Sequence, residues 1–226
     1  MAKHGKKYVE SKKLVDSNKL YTVAEAVELL KKTILTKFDS SIEIGVKTNA
    51  NPKYQDQMLR ATTILPHGTG KTVRVAVFIS EDKAAEAKKA GADIVGTDSL
   101  LADIKAGKID FDTLITTPEH IRDLAIVAKQ LGPKGLMPSP KAGTVVANVA
   151  QAVEETKRGK IEFKLDKSGN VHAILGKGSF DAKKLEENIT SFIKALEDHK
   201  PTGVKGKLIK KAVLSTTMGP GIQIVC

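Results

Sequence analysis

The residues in this chain best suited to chemistry are hydroxyls, lysines and backbone amides, and a dense group of them lies near the C-terminal end. The stretch Ser215 to Gly221 reads STTMGPG, joining three hydroxyls and the amides of a turn to an apolar methionine. Hydroxyls and backbone N–H groups suit ribose 2′-OH and phosphate, and Met218 can pack on a sugar or base. That mixture is binding chemistry for RNA shape and not reaction chemistry. A second stretch sets Lys160, Glu162, Lys164 and Asp166 opposite the apolar Ile161, Phe163 and Leu165, giving a strand one charged face.

Enzyme chemistry finds no matching constellation. The five histidines (His4, His67, His120, His172 and His199) show neither HExxH nor another metal-ligand spacing. The single cysteine, Cys226, is the last residue, so no internal disulfide or cysteine cage forms, which suits a reducing cytoplasm. No GxSxG elbow is present. GTGKT at 68–72 resembles the end of a phosphate-binding loop, but Leu65 stands where the full pattern opens with glycine. A strand, not a helix, is expected next, so no helix N-terminus would face a phosphate. An inter-domain crossing is the preferred reading of GTGKT. No cofactor, metal or catalytic residue is expected, and a nucleotide-binding enzyme and a DNA-binding repressor are the rival classes.

Bulk composition points the same way. A formal charge of +11 and a pI near 9.5 favour a polyanionic partner, with nucleic acid ahead of an anionic membrane. Aromatic content is 4% with no Trp, so extensive aromatic stacking is not available. The N-terminal MAKHGKKYVESKK is basic but lacks the apolar stretch of a signal peptide, and reads as a mobile basic arm. The longest uncharged run, 212–226, is too short to span a bilayer, so a soluble protein is expected.

The elements that must position these groups follow from periodicity. Thr22 opens a capping box with Glu25, and Val23, Val27 and Leu30 share one helical face. SSIEIGVKT (40–48) alternates as a half-buried strand, and ATTIL (61–65) is a further strand stopped by PHGTG. VRVAVFI (73–79) is an apolar, β-branched run typical of a buried strand. Helix-like DKAAEAKKAG, then IVG, SLLADIKAG and TLITT follow it. TPEHIRDLAIVAKQLG predicts one helix with Thr117 as N-cap, Pro118 at its first position and Gly132 past its end. NVAQAVEETKRG predicts another helix. IEFKL and VHAIL predict a hairpin around DKSGN, with Gly169 in its turn. Asp181 is placed as the cap of a helix whose Leu185, Ile189, Phe192 and Leu196 form a stripe, and the C-terminus reads as strand, turn, strand.

Charge divides the chain into the same blocks. Residues 1–67 and 159–226 each carry a net +5, while 68–158 carries +1. The ends share an α+β grammar and the centre alternates strand and helix, indicating βαβ units. The fold expected is α/β in two domains. One is an α+β RNA-binding domain formed by both termini (1–67 plus 159–226), and the other an inserted Rossmann-like βαβ domain (68–158). The loop LGPKGLMPSP at 131–140 is the least ordinary segment. Three prolines and two glycines exclude helix and strand and specify an ordered loop shape, inside the nearly neutral block.

LGPKGLMPSPKAGTV, together with LPHGTGK, DKSGNVHAILGKGSF and STTMGPG, closely resembles the bacterial large-subunit ribosomal protein L-one family, in register from about residue 20 to 224. The resemblance implies a two-domain fold hinged near 67–71 and 158–160. It also implies binding to large-subunit rRNA to form the mobile stalk beside the exit site, with help in releasing deacylated tRNA. Repression of translation through the protein's own mRNA is implied as well, as is a monomeric, cytoplasmic protein off the ribosome. The implied RNA face uses KFDSSIE, DKSGNVH and STTMGPG. Lys37 and Lys167 meet phosphates, Phe38 packs on a ribose or base, and Ser41, Glu43, Asp166 and His172 make or brace polar contacts. Thr217, Met218 and Gly219 lie against the RNA backbone, and Gly169 and Thr216 complete the set. For Phe38 an ordinary core position is the competing reading.

Some positions depart from the family's pattern. Tyr54, Met58 and Ala61 stand where basic, polar and glycine residues are expected, Ser139 where asparagine is common, and Leu208 where tyrosine is common. None lies in the three RNA motifs, and residues 50–61 receive no role.

Overall fold

The computed structural model describes residues 5–16 and 19–225. His4 and Cys226 lie outside them. The first segment holds α1 (Lys6–Lys13), α2 (Val23–Lys32), β1 (Ser41–Thr48) and β2 (Arg60–Ile64). The middle runs β3 (Val75–Phe78), α3 (Glu81–Lys89), β4 (Ile94–Gly96), α4 (Asp98–Lys105) and β5 (Thr113–Thr116). After these come α5 (Ile121–Leu124), α6 (Ala128–Leu131) and α7 (Val149–Lys157). The last segment holds β6 (Lys160–Lys164), β7 (Asn170–Lys177), α8 (Ala182–Asp198), β8 (Ile209–Thr216) and β9 (Ile222–Ile224). The chain is mixed α/β and divides into two compact units, Met1–Gly70 with Ile161–Cys226, and Lys71–Lys160.

The unit built from both ends centres on an antiparallel sheet of order β7-β1-β8-β9. Strand alternation sends Ile42, Ile44 and Val46 to one face, where all three are fully buried. The helices α2 and α8 cover that face: α2 packs on α8, β8 and β9, and α8 on β7. Thr22 starts α2 with a reciprocal capping box, its hydroxyl accepting from the Glu25 amide while the Glu25 carboxylate accepts from the Thr22 amide at 3.1 Å. The stripe Leu185, Ile189, Phe192 and Leu196 is fully buried, each side chain worth about 1.5–3 kcal/mol of burial. Phe192 meets Phe163 of β6 edge-to-face at 5.4 Å between centroids.

Asn188 is the one polar residue of that helix sealed in the core, and its amide is fully used. Its Oδ1 accepts from the His67 amide at 3.1 Å, and its Nδ2 donates to the carbonyls of Gly68 and Leu175 at 3.0 and 2.8 Å. Burial without such partners would be costly, so this network fixes how residues 67–68 lie against β7.

The unit Lys71–Lys160 holds a parallel sheet of order β4-β3-β5. Every residue of β3 is buried, because both faces are covered. Ala76 and Phe78 pack with Leu100, Ile104, Leu124 and Leu131, while Val75 and Val77 pack with Ala87, Ile115 and Val153. Helices thus cover both sides of the sheet, as in Rossmann-like folds.

Three local expectations are corrected. Residues 118–131 are not one helix but alternate 3-10 and α turns, Pro118–His120, α5, Ala125–Val127 and α6. The β-branched Ile121, Ile126 and Val127 weaken helix propagation there, and Gly132 stays right-handed at φ −57°. Thr117 makes no cap bond, and its hydroxyl is buried with no partner among the described residues. The hairpin across DKSGN pairs at only one bridge, Leu165 with Val171, because β6 pairs with β2 and β7 with β1. Asp181 occupies the N-cap of α8 without a side-chain cap bond.

Candidate nucleic-acid interface

Among the described residues of this unit, no helix packs on the second face of the β7-β1-β8 ladder, where Glu43, Lys47, His172, Ile174 and Lys211 are exposed. The same alternation that buries Ile42, Ile44 and Val46 turns Glu43, Gly45 and Lys47 outward. Their cross-strand neighbours are Ile174 and His172 on β7, and Ser215, Val213 and Lys211 on β8. All of these except Ile174, together with Asn170, line an open groove of about 400 Å³. Gly45 leaves the floor of the groove without a side chain; a Cβ there would rest against the His172 ring at 3.4 Å. Lys47 and Lys211 stand directly opposite each other, and neither has an ion-pair partner among the described residues. Like charges in that position oppose pairing, and an anion between them would relieve the repulsion.

One end of this face is the turn after β8. The Ser41 amide donates to Thr217 Oγ1 at 3.0 Å, and the Thr217 amide donates to the Ser41 carbonyl at 3.1 Å. Lys177 Nζ donates to Ser41 Oγ at 2.9 Å. Thr216 is buried and pairs with Ile42, and a side chain at Gly219 would collide with the Thr216 hydroxyl. Met218 is 61% exposed and Phe38 58%, which removes the core reading of Phe38. The segment carrying Lys37 and Phe38 is tied down by Asp39, whose carboxylate accepts from the Ser179 amide at 3.0 Å and from its hydroxyl at 2.8 Å.

The other end is the turn between β6 and β7. Asp166 Oδ1 accepts from the amides of Ser168 and Asn170 at 2.8 and 2.7 Å, and Gly169 supplies the left-handed φ of 80° the turn requires. The Asn170 amide, helped by the Ser168 amide and the nearby His172, holds the Asp166 carboxyl below the usual aspartate range. Asp166 therefore braces the turn, with His172 Nε2 3.9 Å from its Oδ2. Thr48 Oγ1 donates to the buried Gly169 carbonyl at 2.7 Å, fastening the turn to the end of β1. Lys167 is exposed at the tip.

The structure thus brings Lys37, Phe38, Ser41, Glu43, Thr217, Met218 and Gly219 to one end of β1 and Asp166, Lys167, Gly169 and His172 to the other. Thr216 and Gly169 are buried and shape their turns. Gly45, Lys47 and Lys211 were missed by sequence reasoning, and Ser215 was included only as part of the STTMGPG motif. The alternation in SSIEIGVKT and KKAVLST marks them as outward, but not that they face one another.

Other chemistry finds no geometry. GTGKT is followed by β3 and no helix, and Lys71 Nζ lies 2.6 Å from Asp112 Oδ1. Among the described residues no group of three or more His, Cys, Asp or Glu could hold a metal ion. No helix among them is long and apolar enough to cross a membrane.

The sequence as a whole is similar to proteins already known. The chain is 53% identical to the large ribosomal subunit protein uL1 of Thermosipho melanesiensis over 225 residues, covering 99% of this chain and 97% of that one. It is 52% identical to the protein of the same name from Fervidobacterium nodosum (99% and 96% covered). With that from Kosmotoga olearia it shares 50% (99% and 97%). Residues 30–220 match the model of the ribosomal protein L1p/L10e family. On these grounds the chain belongs to the ribosomal protein L1p/L10e family.

Proposed function

We propose that the unit Met1–Gly70 with Ile161–Cys226 grips large-subunit rRNA through the outward face of β7-β1-β8 and the two turns at its ends. The observation that carries this is the uncovered face on which unpaired Lys47 and Lys211 oppose each other between two braced polar turns. Phosphates neutralise the lysines, the hydroxyls and amides of 215–219 reach sugar and phosphate, and Phe38 and Met218 pack on ribose or base. The family is one of ribosomal proteins, and the chain is not an enzyme. The relatives' names place those proteins in the large ribosomal subunit, and the same setting, on the cytoplasmic ribosome, is inferred for this chain.

Family resemblance supports the finer part of the reading. The chain forms the mobile stalk beside the exit site, with Lys71–Lys160 as its inserted domain and hinges near 67–71 and 158–160. It assists release of deacylated tRNA, and it binds its own mRNA to repress translation, acting as a monomer when off the ribosome.

A competition assay tests the core of this proposal. A labelled, folded large-subunit rRNA transcript should be displaced by the same unlabelled RNA, and far less by tRNA or a DNA duplex. A chain lacking 68–158 with its ends joined should keep most of that affinity. Retention of the affinity by the isolated central segment would place the site elsewhere. A reporter carrying the protein's own mRNA leader, silenced by the wild type and not by Thr217→Val, tests the repressor function.

A further inference from the structure

Among the described residues, two aromatic side chains stand mostly in solvent: Phe38 at 58% exposure and Tyr54 at 57%. They bracket β1. Phe38 lies three residues before Ser41 and Tyr54 six after Thr48, on either side of a strand that spans roughly 23 Å at about 3.3 Å per residue. In a chain with only 4% aromatic residues and no Trp, two exposed rings in the segments flanking one strand suit a ligand with its own flat apolar surface.

The loop that presents Tyr54 is braced. The Asn49 amide donates to the Leu208 carbonyl at 2.8 Å, and the Asn51 amide to Gln57 Oε1 at 2.8 Å. Asn51 closes a local turn, its Oδ1 accepting from the Lys53 amide at 3.1 Å and its carbonyl from the Tyr54 amide at 3.2 Å. The loop also abuts the second RNA turn. A Cβ on Gly169 would lie 3.0 Å from the Ala50 carbonyl oxygen and 3.9 Å from Pro52 Cδ. Lys53 and Lys167 are exposed cations in these two neighbouring turns.

We infer that Tyr54 is a second stacking platform, receiving an unpaired base of the bound RNA at the Asp166–Asn170 end of the interface; this rests on the RNA-binding reading above. A ring carried on a braced loop has only its own side-chain torsions to lose on binding, and stacking tolerates any base because each has a π face. The surrounding charge selects the occupant. A nucleotide supplies both a flat ring and a phosphate for Lys53 or Lys167. An apolar protein surface would cover those lysines without satisfying them.

Binding of the full chain to a folded large-subunit rRNA transcript tests this. Tyr54→Ala should weaken binding roughly 5- to 100-fold, the range expected for one stacked base, with an unchanged thermal midpoint and salt slope. Tyr54→Phe should bind like the wild type. Because the chain has no Trp, the emission of a Tyr54→Trp variant reports this site alone and should be quenched at saturating RNA. Wild-type affinity of Tyr54→Ala, or unmoved emission from Tyr54→Trp, overturns the inference. Thr217→Val separates the two levels. If it weakens binding while Tyr54→Ala does not, only the Tyr54 assignment fails; if neither matters, the sheet-face reading fails with it.

Discussion

Thr217 and Ser41 hold each other across 176 residues of sequence: the Ser41 amide donates to Thr217 Oγ1, and the Thr217 amide donates back to the Ser41 carbonyl. The pair locks the STTMGPG turn onto the start of β1, so the hydroxyl that sequence suggested as a ligand contact also positions the turn. Thr217→Val keeps the side-chain volume and removes the oxygen, leaving the Thr217 amide bond to the Ser41 carbonyl to hold the turn. It should cost about 1–3 kcal/mol of RNA affinity while the protein stays folded, read by filter binding beside a thermal melt.

Lys47 and Lys211 predict opposite effects on folding and binding. Replacing both with Gln relieves a like-charge pair, leaving stability equal or higher by roughly 0.2–1 kcal/mol. RNA affinity should fall, and the slope of log affinity against log salt should shrink by about 0.7–0.9 for each phosphate that is no longer neutralised. Titrations between low and moderate salt check both. An unchanged slope would reduce the lysines to a solvated face.

Asn188 predicts a stability effect with no ligand involved. Asn188→Ala leaves the His67 amide and the carbonyls of Gly68 and Leu175 without their partner inside the core. A loss of about 1–3 kcal/mol is expected for a buried group left unsatisfied, seen as a lower urea midpoint. Asn188→Asp should cost more, since it buries a charged carboxylate against two carbonyl oxygens that it cannot donate to.

Acid should loosen the unit Lys71–Lys160 through Asp112. Its carboxylate accepts from Lys71 Nζ and from the Arg74 amide at 3.1 Å, and these hold it below the ordinary value of 3.8, the Lys71 bond acting most strongly. A depressed folded value means the contribution is complete above 3.8 and disappears as pH falls through the lower folded value. Urea midpoints followed from pH 6 down to about pH 2 should drop in that window, and Asp112→Asn should flatten the drop.

The N-terminal capping box, the β1 alternation and the stripe of α8 are legible in the sequence because each depends on residues a few positions apart. The 118–131 segment misleads for the same reason in reverse. Its caps and apolar spacing look helical, while packing of Leu124, Val127 and Leu131 onto the sheet is met by alternating 3-10 and α turns. The hairpin at DKSGN is half legible: the Asp166 and Gly169 turn forms, but which strands its arms join is settled by β1 and β2, more than 100 residues earlier.

By itself the sequence determined the family, the local elements and the types of group offered to a ligand, because motifs, periodicity and composition are properties of short windows. Only the tertiary structure decided that Phe38 is exposed, that Thr216 is buried, and that Lys47 meets Lys211 across a groove lined by Gly45. Strand register across long separations is set by which faces must be buried together, and no window of sequence contains both partners.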